Sequence, residues 1–295
     1  MSQFSKIGII CKPDDHQIKS TVQSLYQYLS DRSIDIYFDD VSVNLIDEPS
    51  VQSSDSVKIA ANSDLVIVVG GDGTILHAAH SLIEKEIPLL GINLGHLGFL
   101  AEIRPQDIVK QLDQILSGNY IEEHRFVLKT SLIRNGEIVS SANAVNDVVV
   151  HAMQMVRMIE IETRVNKQHL NTLRADGYIV STPTGSTAYA LSGGGPILHP
   201  KLGAIVLVPI CPHTLSNRPI VVDADSQIEI LLPIQNRYTA LASVDGQINM
   251  DFMPGDILTI EKGEFELRLI QPKQYDYFEV LREKLRWSTT HNNNV

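Results

Sequence analysis

The stretch Leu65-Val66-Ile67-Val68-Val69-Gly70-Gly71-Asp72-Gly73-Thr74 constrains this chain more than any other. Five apolar residues, four of them β-branched, make a short buried strand. Two glycines break it, an acid and a third glycine follow, and residues 74–82 then place apolar side chains at helical spacing. A strand that turns through glycines into a helix is a phosphate-binding arrangement. The glycines let backbone N–H groups approach an anion, and the helix N-terminus adds positive potential. Asp72 is the odd member, because a carboxylate on a phosphate cradle repels its ligand unless it has a task. Binding a metal or accepting a proton from a nucleophile are two such tasks. The plainer alternative is a glycine turn whose Asp caps the helix.

At 295 residues the chain is long enough for one or two domains and a full core. Hydrophobic residues make up 43% and charged residues 20%, which fits a soluble globular protein. The net charge is 24 − 35 = −11 and no basic run is present, which argues against nucleic acid or an anionic membrane as partner. Cys11 and Cys211 form no CxxC pair and lie in apolar contexts, so both are expected to be buried thiols. No apolar run reaches membrane length and no secretory signal is present, so a reducing cytoplasm is the expected setting.

Along the first part of the chain, 7–11, 34–38, 65–69 and 88–92 read as strands. Ile18, Val22, Leu25 and Leu29 mark one helical face, and Ile108, Leu112, Ile115 and Leu116 mark another; 47–55 reads as a polar loop. Alternating strands and helices imply a parallel sheet covered on both faces, whose ligands bind at the carboxyl ends of the strands. Asp72 and the 95–98 glycine loop then share one rim. From about residue 120 the rhythm changes. Strands are expected at 126–134, 137–142, 144–150, 158–165, 177–181, 204–210, 227–232, 241–244, 247–250, 257–260 and 265–270, with hairpin turns at Asn135-Gly136 and Asp245-Gly246. The fold class is therefore α/β plus β: an α/β domain over 1–122, a β-rich domain over 123–271, and a tail over 272–295 with a short helix.

Two further segments are unusual. Asn146 and Asp147 stand side by side where an apolar strand begins, and can hydrogen-bond a sugar hydroxyl or a base edge or simply open the strand with an Asx turn. Residues 174–196, from Arg174-Ala175-Asp176-Gly177 through Thr182-Pro183-Thr184-Gly185-Ser186-Thr187-Ala188-Tyr189 to Gly193-Gly194-Gly195, combine hydroxyls, small side chains and glycines that let a flat ligand approach the backbone. No GxxxxGK[ST], GxGxxG after a strand, GxSxG or HExxH occurs. His77, His80 and His96 lie near the glycine rim without the spacing of a metal trio, and no residue is assigned as a metal ligand.

Taken together, the GGDG turn at 70–73, the Asn-acid pair at 146–147 and the TPTGSTAY segment at 182–189 followed by glycines resemble NAD kinase over nearly the whole chain. Asp147 stands where many members carry Glu, which keeps the carboxylate and shortens its reach. The resemblance implies a Rossmann-like N-terminal domain and a β-rich, sandwich-like C-terminal domain. It implies transfer of the terminal phosphate of ATP to the 2′-hydroxyl of the adenosine ribose of NAD, giving NADP. A divalent cation, Mg²⁺, would accompany ATP, and the chain would form a homo-oligomer, a dimer or tetramer. Asp72 is then the expected general base, with the backbone of Gly70 to Gly73 on phosphates. Asn146 and Asp147 would bind adenine and ribose groups. Arg157, Arg174 and His77 would meet phosphates, although Arg157 is equally an ordinary surface arginine. Asp176 would accept from the nicotinamide amide, Thr187, Ala188, Tyr189, Ala190, Leu191 and Ser192 would line the dinucleotide, and Gln247 would join them. The rival readings are a lipid kinase that shares the GGDG turn and a dinucleotide-binding sensor without turnover.

Overall fold

The computed structural model describes residues 3–12, 16–48, 51–95, 98–101, 103–153 and 158–287. In chain order the elements are β1 (Lys6–Cys11), α1 (His16–Ser30), β2 (Asp35–Phe38), α2 (Asp40–Val43), α3 (Ser56–Asn62), β3 (Leu65–Val69), α4 (Asp72–Leu82), β4 (Leu89–Ile92) and α5 (Ile108–Leu116). They continue with β5 (Tyr120–Arg134), β6 (Glu137–Ala144), β7 (Asp147–Ala152), β8 (Ile159–Val165), β9 (Gln168–Ala175), β10 (Gly177–Ser181) and α6 (Tyr189–Ser192). Last come β11 (Ala204–Ile210), β12 (Ile220–Asp223), β13 (Ile228–Leu231), β14 (Ala240–Val244), β15 (Ile248–Phe252), β16 (Ile257–Pro272) and α7 (Tyr277–Leu285). The chain divides into two compact units, 1–124 with 267–295, and 125–266.

In the first unit β2, β1, β3 and β4 pair in parallel in that order, and the end of β16 adds to β4 through Leu269 and Leu89. Every residue of β3 is buried, because helices cover both faces of a parallel sheet. On one face Ile7, Ile9, Leu65, Ile67, Leu90 and Ile92 pack with Ile18, Val22, Leu25 and Leu29 of α1 and Ile108, Leu112 and Ile115 of α5. The periodicities read from the sequence therefore correspond to the packed faces. The short helix α3 escapes that reading, since only Ile59 and Ala60 of its seven residues are buried; Asp55 caps it by accepting from Lys58 N–H at 2.7 Å.

The second unit is built from two antiparallel layers. One sheet runs β12-β11-β10-β7-β14-β15. The other pairs β13 with β8 and with the start of β16, and β8 with β9; β5 and β6 form a hairpin. Val148 and Val150 of β7, Tyr178 and Val180 of β10, Ile205 and Leu207 of β11, and Ile228, Ile230, Leu258 and Ile260 share the core. Val149, Ile179, Val206 and Val208 point the other way, into a smaller cluster closed by Ala190 and Leu198. Burial on both faces explains why β7, β10 and β11 are continuous apolar runs although the sheet is antiparallel.

Three expectations need correction. Cys211 is exposed, because β11 ends at Ile210 and the next residue turns at φ 45°, out of the apolar row. The strands expected at 257–260 and 265–270 are one strand, since Gly263 lets Val127 come close: a Cβ there would meet Val127 Cγ2 at 2.8 Å. Strands β9 and β12 were not foreseen. The turn before β9 is Asn166-Lys167, with φ 51° and 66°, and it lacks the glycine that signals such hairpins. The Asn135-Gly136 and Asp245-Gly246 turns show the same pair of positive φ angles, 54° and 84°, and 51° and 67°.

Lys167 is exposed and held in the left-handed region, where an L side chain costs about 1 kcal/mol. Lys167→Gly is expected to stabilise the protein by about 0.5–1 kcal/mol in a denaturant titration. A loss of stability would contradict the assigned strain.

Candidate active site

In the first unit the parallel strands deliver their carboxyl ends to one rim: Cys11, then Asp39 after β2, Gly70 to Gly73 after β3, and Asn93 after β4. Asp72 opens α4, and both of its oxygens are held. Oδ2 accepts from Phe99 N–H at 3.0 Å and Oδ1 from Leu100 N–H at 2.9 Å. The loop that supplies these donors is itself fixed. Asn93 Oδ1 accepts from Gly95 N–H at 3.0 Å, and Gly98 N–H donates to Ala101 O at 3.0 Å. A Cβ at Gly98 would collide with Asp72 Oδ1, so glycine is what allows the loop onto the carboxylate. Each carboxylate oxygen keeps a further lone pair, and the side chain is only half-buried. Asp72 is thus an oriented acceptor and not a helix cap: the N-cap position belongs to Gly71, and no side chain bonds there.

The glycines of the turn serve different ends. A Cβ at Gly70 would strike Thr74, so packing requires that glycine. Among the described residues, a Cβ at Gly71 or Gly73 would meet nothing within 4 Å. His77 is exposed on α4 and lies close enough to Asp39 for its charge to be felt there. Burial pushes the Asp39 carboxyl above its ordinary range, while hydrogen bonds from Ser42 and the nearby His77 draw it back.

In the second unit Asn146, Asp147, Val149, His151, Ala188, Tyr189, Ser243, Asp245 and Gly246 line a cavity of about 310 Å³. The backbone that carries the Asn-Asp pair is saturated from two sides. Asp245 Oδ2 accepts from Val145 N–H at 2.8 Å, and its Oδ1 accepts from Asn146 N–H at 2.8 Å and Asp147 N–H at 2.9 Å. Thr182 Oγ1 donates to Val145 O at 2.6 Å, and Asn146 O accepts from Thr182 N–H at 2.9 Å and Ser181 Oγ at 3.1 Å. Gly185 presses so closely on Asn146 O that a Cβ would collide with it. With its backbone satisfied, the pair is left with its side chains to offer. Asp147 is only 5% exposed. Burial, and then the charge of Asp245, push its carboxyl from 3.8 up to about 7.

The hydroxyl-rich segment spends most of its donors internally. Ser186 Oγ donates to Pro183 O at 2.6 Å and accepts from Leu198 N–H at 2.9 Å, and Thr187 Oγ1 donates to Thr184 O at 3.2 Å. Its hydroxyls build the loop that presents Ala188 and the 48%-exposed Tyr189. Leu191 is half-buried and Ser192 exposed. The methyl of Ala190 is enclosed with Val149 and Ile179, so Ala190 can offer a ligand only its backbone. Arg174 is not in this cavity; it lines another, of about 190 Å³, with Glu160, Arg237 and Tyr238. Asp176 is exposed at the β9–β10 corner, its N–H donating to Ile210 O at 3.0 Å, and Gln247 is exposed in the β14–β15 hairpin. Arg157 and His96 lie outside the described residues. The sequence did not mark Asp245, Ser243 or His151 as belonging to the site. Asp245 was legible only as a turn residue, and a hydrogen bond across about a hundred residues leaves no local pattern. Among the described residues no three His, Cys, Asp or Glu side chains gather to hold a metal ion.

Models of the ATP-NAD kinase N-terminal domain and the ATP-NAD kinase C-terminal domain match residues 7–120 and 145–272. A protein named NAD kinase from Pseudomonas putida (strain GB-1) is 45% identical over 289 residues, covering 98% of each chain. The chain belongs to the NAD kinase family. A relative of the same name from Pseudomonas fluorescens (strain Pf0-1) is 44% identical over the same length. Yeast NADH kinase, solved in complex with NADH, superposes with a TM-score of 0.89 at 25% identity, covering 99% of this chain and 90% of that one. An NAD kinase from Archaeoglobus fulgidus, solved with ATP, gives 0.76 at 28% identity over 95% and 98%. The α/β unit and the β-rich unit are those of this kinase family, and the chain is an enzyme of that class.

The clamp on Asp72 can be loosened without touching the acid. Gly98→Ala must push the loop away from Oδ1, and kcat is expected to fall by about 10²-fold, the scale set by a misplacement of roughly 1 Å. Steady-state kinetics beside a thermal melt checks this. Unchanged kcat would show that the loop does not orient the carboxylate.

Proposed function

We propose that this kinase transfers the terminal phosphate of ATP to the 2′-hydroxyl of the adenosine ribose of NAD, giving NADP, with Asp72 as general base. The observation that supports this most is the carboxylate held at both oxygens beside the glycine turn that opens α4. In-line phosphoryl transfer is mostly positioning and charge stabilisation, and the acceptor hydroxyl must lose its proton as the new P–O bond forms. Asp72 accepts that proton through a lone pair its N–H partners do not use. The Gly71 to Gly73 turn stands at the N-terminus of α4, where the helix end favours phosphate oxygens.

Asn146 and Asp147 hold adenine and ribose groups, and Tyr189 packs on a ring. Ala188, Thr187, Leu191 and Ser192 continue that surface, Ala190 by its backbone. Asp176 and Gln247 take polar groups of the dinucleotide. His77 and Arg174 meet phosphates, and a guanidinium fork suits the 2′-phosphate of the product. A divalent cation, Mg²⁺, would arrive with ATP, held chiefly by the substrate phosphates and its own waters. When bound, that cation supplies neutralisation of the phosphate charge.

A homo-oligomer, dimer or tetramer, and a cytoplasmic setting belong to the same reading. The acidic balance of −11 and two free cysteines support the cytoplasmic setting, and no helix among the described residues is long and apolar enough to cross a membrane. The same features disfavour a lipid kinase, which needs an apolar groove or a basic membrane face.

The protein is incubated with NAD, ATP and Mg²⁺, and NADP is read with an NADP-specific dehydrogenase. NADP is expected to form, whereas a lipid kinase or a silent binder gives no signal. Asp72→Asn keeps the shape and removes the base, so kcat is expected to fall by at least about 10²–10⁴-fold while NAD still raises the melting temperature. Near wild-type turnover in that variant would remove the assignment.

A further inference from the structure

The tip of the β14–β15 hairpin does more than reverse the chain. Asp245 sits at φ 51°, a conformation that Asn or Gly would adopt as well. Its side chain nevertheless takes three backbone N–H groups, from Val145, Asn146 and Asp147, and its own N–H donates to Asp147 O at 2.9 Å. A two-residue turn needs none of these bonds. They join the hairpin tip to the residues that lead into β7, about a hundred positions earlier in the chain, and they end at the cavity that Asn146, Asp147 and Asp245 line together.

We propose that Asp245 is a positioning residue for the dinucleotide, its carboxylate locking the backbone of residues 145–147 so that the Asn146 and Asp147 side chains are held on the cavity wall for adenosine hydroxyls and base edge. This rests on the reading of Asn146 and Asp147 as ligand groups. An amide in place of the carboxylate brings an N–H₂ against three N–H donors, so the clamp weakens even when size is kept.

The lock also has a charge. Asp245 and Asp147 line the cavity together with His151 from β7 and Tyr189 from α6; β10 sets Ser181 in register with Asp147, and no lysine or arginine lines the cavity among the described residues. The Asp147 carboxyl stands at about 7 because it is buried and because Asp245 faces it. Ribose hydroxyls donate, so the ionised carboxylate of Asp147 is the form that accepts them. KM for NAD should therefore fall as pH rises through about 7. Removing the Asp245 charge lets Asp147 ionise at lower pH, and that fall in KM moves toward acid.

The test measures kcat and KM for NAD and for ATP across neutral pH in the wild type, Asp245→Asn and Asp147→Asn. Asp245→Asn is expected to raise KM for NAD about tenfold on the alkaline side, the scale of one hydrogen bond to a charged group. It is also expected to shift the inflection toward acid and leave KM for ATP unchanged. A merely structural Asp245 would lower the melting temperature and leave both the alkaline KM and the inflection where they are, and that result overturns the proposal. If Asp147→Asn leaves KM for NAD unaltered, the reading of the Asn-Asp pair fails first, and the two failures are thereby told apart. Should Asp245→Asn not fold, Asp245→Glu keeps the charge with a longer reach, and it should raise KM for NAD with the inflection unmoved. Carboxyl ¹³C titration of the wild type then reads Asp147 directly: a transition near 7 supports the coupling, and one in the ordinary carboxylate range overturns it.

Discussion

Two backbone N–H groups on one carboxylate set the geometry of the rim in the first unit. Phe99 and Leu100 each donate to one oxygen of Asp72, so the plane of the carboxylate is fixed by the loop after β4 and its position by the first turn of α4. Neither strand could place the acid alone. Parallel pairing of β3 with β4 brings the two loops to one rim, and Gly98 lets them touch. A base oriented before substrate arrives has less reorganisation to undergo during reaction, which is where an enzyme gains over water. The glycines divide along the same line: Gly70 and Gly98 answer to packing, whereas a Cβ at Gly71 or Gly73 would meet no described residue within 4 Å.

The second unit solves a related problem with a different device. Its Asn-Asp pair sits at the start of a strand buried on both faces, where loose polar backbone would be costly. Asp245 satisfies the N–H groups, Ser181 and Thr182 the carbonyls. The hydroxyls that look in the sequence like a ligand surface are largely the scaffold of one. They hold the chain so that Ala188 and Tyr189 line the cavity, and this division of labour appears only when the partners of each oxygen are known.

The fold was legible in the sequence wherever burial imposes a period or glycine marks a turn. The five-residue run of β3, the helical faces of α1 and α5, and the Asn135-Gly136 and Asp245-Gly246 hairpins all announce themselves. What escaped did so for physical reasons. Strand β9 follows a turn whose left-handed position carries Lys167, α3 buries too little to show a face, and β16 hides an unbroken strand behind charged residues and Gly263. In the site, the residue types at 72, 146, 147 and 189 mark themselves in the sequence as candidates. Asp245 did not, because its role is a long-range hydrogen bond in the place of a common turn residue. Arg174 was legible as an anion partner by type alone, and the structure sets it in a cavity with Glu160 and Arg237.

The central claim is that Asp72 takes the proton of the acceptor hydroxyl while the loop holds it still. A crystal structure of the protein with NAD and a non-hydrolysable ATP analogue tests it most directly. The account predicts one Asp72 oxygen at about 2.6–3.2 Å from the 2′-oxygen of the adenosine ribose, with the Phe99 and Leu100 N–H bonds retained. A ribose whose 2′-oxygen meets another side chain, with Asp72 turned away from it, would contradict the account.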